Sequence, residues 1–185
     1  MTMDMIQKEG ILDVGEADST FKYEVASRPG GEKIKKCFSC GTCTSACPVF
    51  RVEHDYNPRR IIRLVLLGFR KEVLSSRTIW LCAHCYACSA YCPQGVSFAD
   101  IMTVLQRMAV ESGYVSADLP ERIETINLAM SELRKEYIKE ATAGNAEIFG
   151  ADILKKLEAK LNEIFGRFKQ TQTAVAEKND KEPEK

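Results

Sequence analysis

The polar and apolar positions of this chain change period several times along its length, and each change marks an element. Phe21, Tyr23 and Val25 alternate with charged or polar residues, which predicts a short strand, and Ser27-Arg28-Pro29-Gly30-Gly31 reads as a turn. From Asn57 the period lengthens. Asn57 is placed to cap a helix, Pro58 takes its first position, Ile61, Ile62, Val65 and Leu66 form one apolar face, and Gly68 closes it. A second helix opens at Ser97, with Asp100 three positions on in the manner of a capping box. It runs through Ile101, Met102, Leu105, Met108 and Ala109 towards Gly113. A third starts at Pro120, where Ile123, Ile126, Met130, Leu133 and Tyr137 repeat at a spacing of three and four, a narrow seam suited to another helix. A fourth covers residues 149–168 and carries Ile153, Leu154, Leu157, Leu161, Ile164 and Phe165. From Thr171 the chain turns polar, which predicts a solvated, disordered tail.

Composition narrows the class. A length of 185 residues suits one domain or one and a half. Lys+Arg and Asp+Glu both number 26, so no global nucleic-acid footprint exists. Residues 1–10 carry Asp4, Lys8 and Glu9 and lack the apolar core of a signal peptide. The longest apolar stretch, residues 64–69, is far too short for a membrane span. The expectation is a cytoplasmic protein in a reducing compartment.

The cysteines carry the chemistry. All eight fall in two copies of one pattern, Cys37-x2-Cys40-x2-Cys43-x3-Cys47-Pro48 and Cys82-x2-Cys85-x2-Cys88-x3-Cys92-Pro93, offset by 45 residues. Bacterial-type ferredoxins use this spacing to hold two [4Fe–4S] cubanes, the fourth thiolate of each run serving the other run's cluster. Three cysteines two residues apart let a tight loop wrap one cubane. The fourth lies where the chain turns helical and can point away, and the proline after it suits a turn beside a sulfur-rich site. The expected ligand sets are Cys37, Cys40, Cys43 and Cys92 for the first cluster, and Cys82, Cys85, Cys88 and Cys47 for the second. A pair of zinc sites is the main rival, but zinc knuckles need neither the third cysteine nor the Cys-Pro ending, twice over. A disulfide framework suits short secreted chains, which this does not resemble.

Other residues near the two runs are read more plainly. Trp80, Tyr86, Tyr91 and Phe38 are expected to shield the clusters from water or, equally, to be ordinary core. His84 and His54 are read as polar surface residues, since four thiolates per cluster are already present. Lys33, Lys35 and Lys36 approach the first run; they could raise its cluster's potential, but exposed charges act weakly, so a solvated approach is the plainer reading. Residues 51–77 hold seven arginines or lysines against three acids, read as a solvated helix face ahead of a docking face for an acidic partner.

The run Asn57-Pro-Arg-Arg-Ile-Ile-Arg-Leu-Val-Leu-Leu-Gly68, with Ser75-Ser-Arg-Thr-Ile-Trp-Leu-Cys-Ala-His-Cys-Tyr-Ala-Cys-Ser-Ala-Tyr-Cys-Pro-Gln-Gly-Val96, closely resembles the C subunit of the soluble heterodisulfide reductase of methanogenic archaea. The resemblance spans roughly residues 34–115. Similar motifs occur in iron–sulfur subunits of glycerol-3-phosphate, glycolate and succinate dehydrogenases, which makes such a flavin-dependent complex the alternative. The resemblance implies a larger assembly. A flavin-bearing A subunit takes electrons from a hydrogenase or formate dehydrogenase and bifurcates them between ferredoxin and a second branch. The C subunit takes that branch to the catalytic B subunit, which reduces the mixed disulfide of coenzyme M and coenzyme B in methanogenesis. Family members use all eight cysteines, at their matching positions, as cluster ligands.

The residues agree with a wire and not a catalyst. Reductive disulfide cleavage needs an open iron or an attacking thiol, and every cysteine is committed. No G-x-G-x-x-G or Walker A loop is present to hold a flavin, nicotinamide or nucleotide. The predicted fold is mostly α: an N-terminal arm over residues 1–33, a helical two-cluster ferredoxin-like domain over 34–115, a C-terminal helical pair over 116–169 that leans towards a partner interface, and a disordered polar tail over 170–185.

Overall fold

The computed structural model describes residues 12–144 together with 155, 158–163, 165 and 166. Among them every regular element is a helix or a 3₁₀ turn; no strand occurs. The helices are α1 (Phe21–Ser27), α2 (Thr42–Ser45), α3 (Pro58–Leu67), α4 (Arg70–Leu74), α5 (Ala87–Ala90), α6 (Phe98–Glu111) and α7 (Leu119–Thr142). The fold is thus mostly α, as the hydrophobic periods predicted.

The chain divides into two compact units, the first ending at Leu119 and the second beginning at Pro120. In the first, α3 forms for the reasons its sequence gives. The Asn57 side chain accepts the Arg60 N–H at 3.1 Å, Pro58 needs no partner at the first position, and Gly68 stops the helix in the left-handed region at φ 93°. Its buried face is Ile61, Ile62, Leu64 and Val65. Leu64 replaces the expected Leu66, which is half-buried. Helix α6 begins and ends near the predicted points and buries Phe98, Ile101, Met102, Val104, Leu105 and Met108. Each such side chain contributes about 1.5–3 kcal/mol on leaving water. Helix α1 packs on α3 and α6, α4 on α6, and α2 on α5, so one core serves the whole unit.

The alternation at Phe21, Tyr23 and Val25 is not a strand. Those residues lie in α1, where Phe21 and Val25 are four apart and share the buried face while Tyr23 stays exposed. Three residues are too few to separate period 2 from the i, i+4 spacing of a helix. The segment expected to form an arm thereby places two fully buried residues in the main core. Helix α1 is fixed there by Asp18 and Arg70. Asp18 accepts from the Thr20 amide at 2.9 Å, and the Asp18 amide donates to the Gly68 carbonyl at 2.8 Å. Arg70 Nε donates to Asp18 Oδ2 at 2.9 Å, its Nη2 pairs with Glu24, and its guanidinium lies 4.8 Å from the Phe21 ring centre.

In the second unit, α7 buries Ala129 and Leu133, against which Tyr137 and Leu161 pack. The predicted seam is therefore rotated: Ile126 and Met130 are exposed. The line that counts is Ala129-Leu133-Tyr137, one residue per turn at i, i+4. The predicted fourth helix lies largely outside the described residues, though 158–163 are helical. The predicted tail also lies outside them.

Candidate functional site

Each cysteine run follows a 3₁₀ turn, Ile34–Lys36 before Cys37 and Arg77–Leu81 before Cys82. Each then bends through two left-handed residues at matching places. In the first run these are Ser39 (φ 58°) and Gly41 (φ 89°); in the second, His84 (φ 45°) and Tyr86 (φ 59°). One left-handed residue on each side of the middle cysteine curls the loop, so that three thiols converge. Left-handed backbone costs a non-glycine residue about 1–2 kcal/mol, so three such residues in two loops mark a site held for its geometry. The short helices α2 and α5 follow, each carrying the third cysteine of its run.

A second matched device joins each short helix to the next long one. Thr44 Oγ1 donates to Asn57 Oδ1 at 3.1 Å and accepts the Arg59 amide at 3.0 Å, tying α2 to the start of α3. Ser89, the equivalent of Thr44 at the 45-residue offset, is 2.9 Å from Ser97 Oγ at the start of α6. Ser97 therefore serves α5 and makes no side-chain cap to its own helix. Asp100 accepts the Tyr86 hydroxyl at 3.1 Å. The capping box expected at Ser97 and Asp100 is not formed, although the helix starts there.

These constraints shape two small cavities, partly open to solvent, whose walls include all eight cysteines. Cys37, Cys40, Cys43 and Cys92 line the first, with Ser39, Gly41, Thr42, Arg59, Ile62, Val96 and Phe98. Cys47, Cys82, Cys85 and Cys88 line the second, with Val49, Tyr56, Ala83, His84, Tyr86, Phe98 and Ala99. Each cavity thus draws three cysteines from one run and one from the other, and Phe98 is a wall of both. Cys47 and Cys88 are buried, whereas Cys40 and Cys85 are exposed.

Donors already point at sulfur. The Ser39 amide donates to Cys37 Sγ at 3.4 Å, the Val96 amide to Cys92 Sγ at 3.3 Å, and Thr42 Oγ1 lies 3.3 Å from Cys40 Sγ. Thr42 holds the Cys40 thiol below the ordinary cysteine pKa, with a smaller contribution from Arg59. Burial pushes Cys43 up to about 11 and raises Cys82 and Cys88, the Tyr56 hydroxyl beside Cys82 opposing part of that rise. Burial also drives the Tyr56 hydroxyl upward, so it stays protonated and available to donate. Thiols held neutral by burial must give up their protons to solvent when they bind a metal.

Of the aromatic residues expected to shield the site, Tyr86 lines the second cavity; Trp80, Tyr91 and Phe38 line neither, and Phe38 and Tyr91 are exposed. Shielding falls instead to Phe98, Tyr56, Ile62, Val96 and Val49. Phe98 opens α6 directly after the second run, a position sequence reasoning could have weighed; nothing local singles out Tyr56. His84 is not a plain surface residue. It lines the second cavity and its Nε2 is 3.2 Å from Thr103 Oγ1. His54 is exposed and meets the Phe50 ring edge-on. Arg59 belongs to the basic stretch read as a solvated face, yet it forms part of the first cavity.

Residues 33–96 match the 4Fe-4S dicluster domain family. The C subunit of the ferredoxin:CoB-CoM heterodisulfide reductase of Methanosarcina mazei is 32% identical over 142 residues, covering 77% of this chain and 85% of the relative. The chain belongs to the family of heterodisulfide reductase C subunits. The C subunit of the H(2):CoB-CoM heterodisulfide,ferredoxin reductase of Methanothermobacter marburgensis is 34% identical over 115 residues, covering 62% of this chain. The chain spans 61% of that relative's length. An iron-sulfur C subunit of the CoB--CoM heterodisulfide reductase of Methanocaldococcus jannaschii is 42% identical over 82 residues, 44% of this chain and 43% of the relative. The cofactor of this family member is a pair of [4Fe–4S] clusters, and the site fits them: four thiols per cavity, apolar walls, and amide or hydroxyl donors aimed at sulfur.

Proposed function

We propose that this chain is the electron-transfer subunit of a heterodisulfide reductase complex. Cys37, Cys40, Cys43 and Cys92 hold one [4Fe–4S] cluster, and Cys82, Cys85, Cys88 and Cys47 hold the other. When bound, each cluster supplies a one-electron couple. The chain's own residues do the rest: the left-handed loop residues aim the thiols, Phe98 and Tyr56 exclude water, and the Ser39 and Val96 amides offset charge on sulfur. Electrons enter from a flavin-bearing A subunit, fed by a hydrogenase or formate dehydrogenase through bifurcation. They leave to a catalytic B subunit that reduces the coenzyme M–coenzyme B disulfide. The surroundings of such work are the cytoplasm; no helix among the described residues is long and apolar enough to cross a membrane.

The observation that carries this reading is the arrangement of the eight thiols. All of them line the two cavities, four in each, so none remains to attack a disulfide or bind its product. Exposed Cys40 and Cys85 bring one edge of each cavity to the surface, where a partner can approach. Anaerobic purification tests the cofactor: brown protein with about eight irons and paramagnetic signals on reduction is expected, and a colourless zinc protein would end the proposal. Reconstitution with A and B subunits tests the role. Heterodisulfide reduction by B should depend on this chain, and the Cys43→Ala variant should not support it.

A further inference from the structure

The two halves of the site repeat each other in backbone but differ in charge and in burial. Helix α3 follows the first run and presents Arg59, its second residue, to the first cavity. Helix α6 follows the second run, and its second residue, Ala99, lines the second cavity. The same structural position thus carries a cation in one half and a methyl group in the other. Arg59 is solvent-exposed, but its Cδ and Nη1 lie 3.6 and 3.9 Å from where a Cβ on Gly41 would stand, between Cys40 and Cys43. Among the described residues no carboxylate pairs with Arg59. Among the described residues no lysine or arginine lines the second cavity, and its Tyr86 bonds the Asp100 carboxylate. Exposure points the same way. Two of the four second-cavity cysteines are buried and none of the first-cavity cysteines is.

Adding an electron to a cluster adds a negative charge. A neighbouring cation and nearby water stabilise that charge; burial and a nearby carboxylate oppose it. We infer that Arg59 gives the first cluster the higher reduction potential, so that the first electron taken up rests there. This rests on the reading that the two four-cysteine cavities hold the clusters. The step is a one-electron transfer from an external mediator to the cluster, with no bond made or broken. It orders the wire: the second cluster is the stronger reductant, and the Cys40 edge is where the stored electron waits.

The test is a potentiometric titration of the full, cluster-loaded chain, followed by paramagnetic resonance at low ionic strength and pH 8, above the ordinary imidazole range. Wild type should show two separated midpoints, with Cys40→Ser altering the signal of the higher one. In Arg59→Gln and Arg59→Met the higher midpoint should move down towards the lower, which should stay in place. Arg59→Lys should keep most of the separation, and Arg60→Gln, on the same helix but outside the cavity, should change nothing. Raising the salt concentration should shrink the separation in wild type and leave the charge-free variants nearly unaffected. An unmoved higher midpoint in both charge-free variants overturns the inference, as does a Cys40→Ser effect on the lower signal. If both charge-free variants lose iron while Arg59→Lys loads, Arg59 serves assembly and the inference is also overturned. Iron content separates the two readings: a wild type with about eight irons leaves the cluster assignment standing whatever the midpoints do.

Discussion

Cys47 and Cys92, equivalent residues in the two runs, line each other's cavities: Cys92 completes the set of Cys37, Cys40 and Cys43, and Cys47 that of Cys82, Cys85 and Cys88. The exchange follows from α2 packing on α5. Each short helix ends just before its fourth cysteine and directs it across the contact. Clusters held in these two cavities would be structurally dependent, since each would fasten both halves of the unit.

The exchange sets a pairing among variants. Cys92→Ala and Cys40→Ser should degrade the same paramagnetic signal, and Cys47→Ala and Cys85→Ser the other. Pairing of Cys92→Ala with Cys85→Ser would show that each run serves itself.

Phe98 is 2% exposed and stands in the walls of both cavities. Phe98→Ala should cost about 3–5 kcal/mol, as for other buried phenylalanines, and should admit water to both clusters. Anaerobic denaturation would read the first effect. Bleaching in air should accelerate for both clusters together, and loss of one alone would place Phe98 beside that one only.

Gly68 combines a left-handed backbone with close approach. A Cβ there would stand 2.3 Å from the Asp18 carbonyl oxygen, which neither backbone can easily yield. Gly68→Ala should therefore destabilise by more than the roughly 1–2 kcal/mol of left-handed strain alone, and should loosen α1. Hydrogen exchange in α1 should rise more than in α6.

Asp18 supplies an acid dependence. Thr20 and then Arg70 hold its carboxyl down to about 2, against an ordinary 3.8. A depressed carboxylate contributes stability that is present above the unfolded value and lost as pH falls through the folded one. Asp18→Asn should therefore lower the melting temperature at pH 6, and the gap to wild type should close between about pH 4 and 2. A gap that stays constant down to pH 2 would show that the carboxylate charge contributes nothing.

Local signals were legible in the sequence because their causes are local. Asn57, Pro58 and Gly68 bound α3 through contacts within one turn, and the eight cysteines declare their chemistry by covalent spacing alone. Where a local pattern was short, it misled: Phe21 and Val25 suit a strand face or a helix face equally well, and burial against α3 and α6 settled the matter. The cap at Ser97 failed for a related reason, since Ser89 on another helix took its hydroxyl.

The cofactor class, the two-fold repeat and helices α3, α6 and α7 could be read along the chain, because all of them rest on residues near one another in it. Tertiary structure alone decided the company those thiols keep. Phe98 between the cavities, Tyr56 beside Cys82, and Arg59 facing one half where Ala99 faces the other are contacts made by packing across helices. No periodicity along the chain encodes which distant side chain will close a wall, because that depends on how apolar faces of separate helices bury one another.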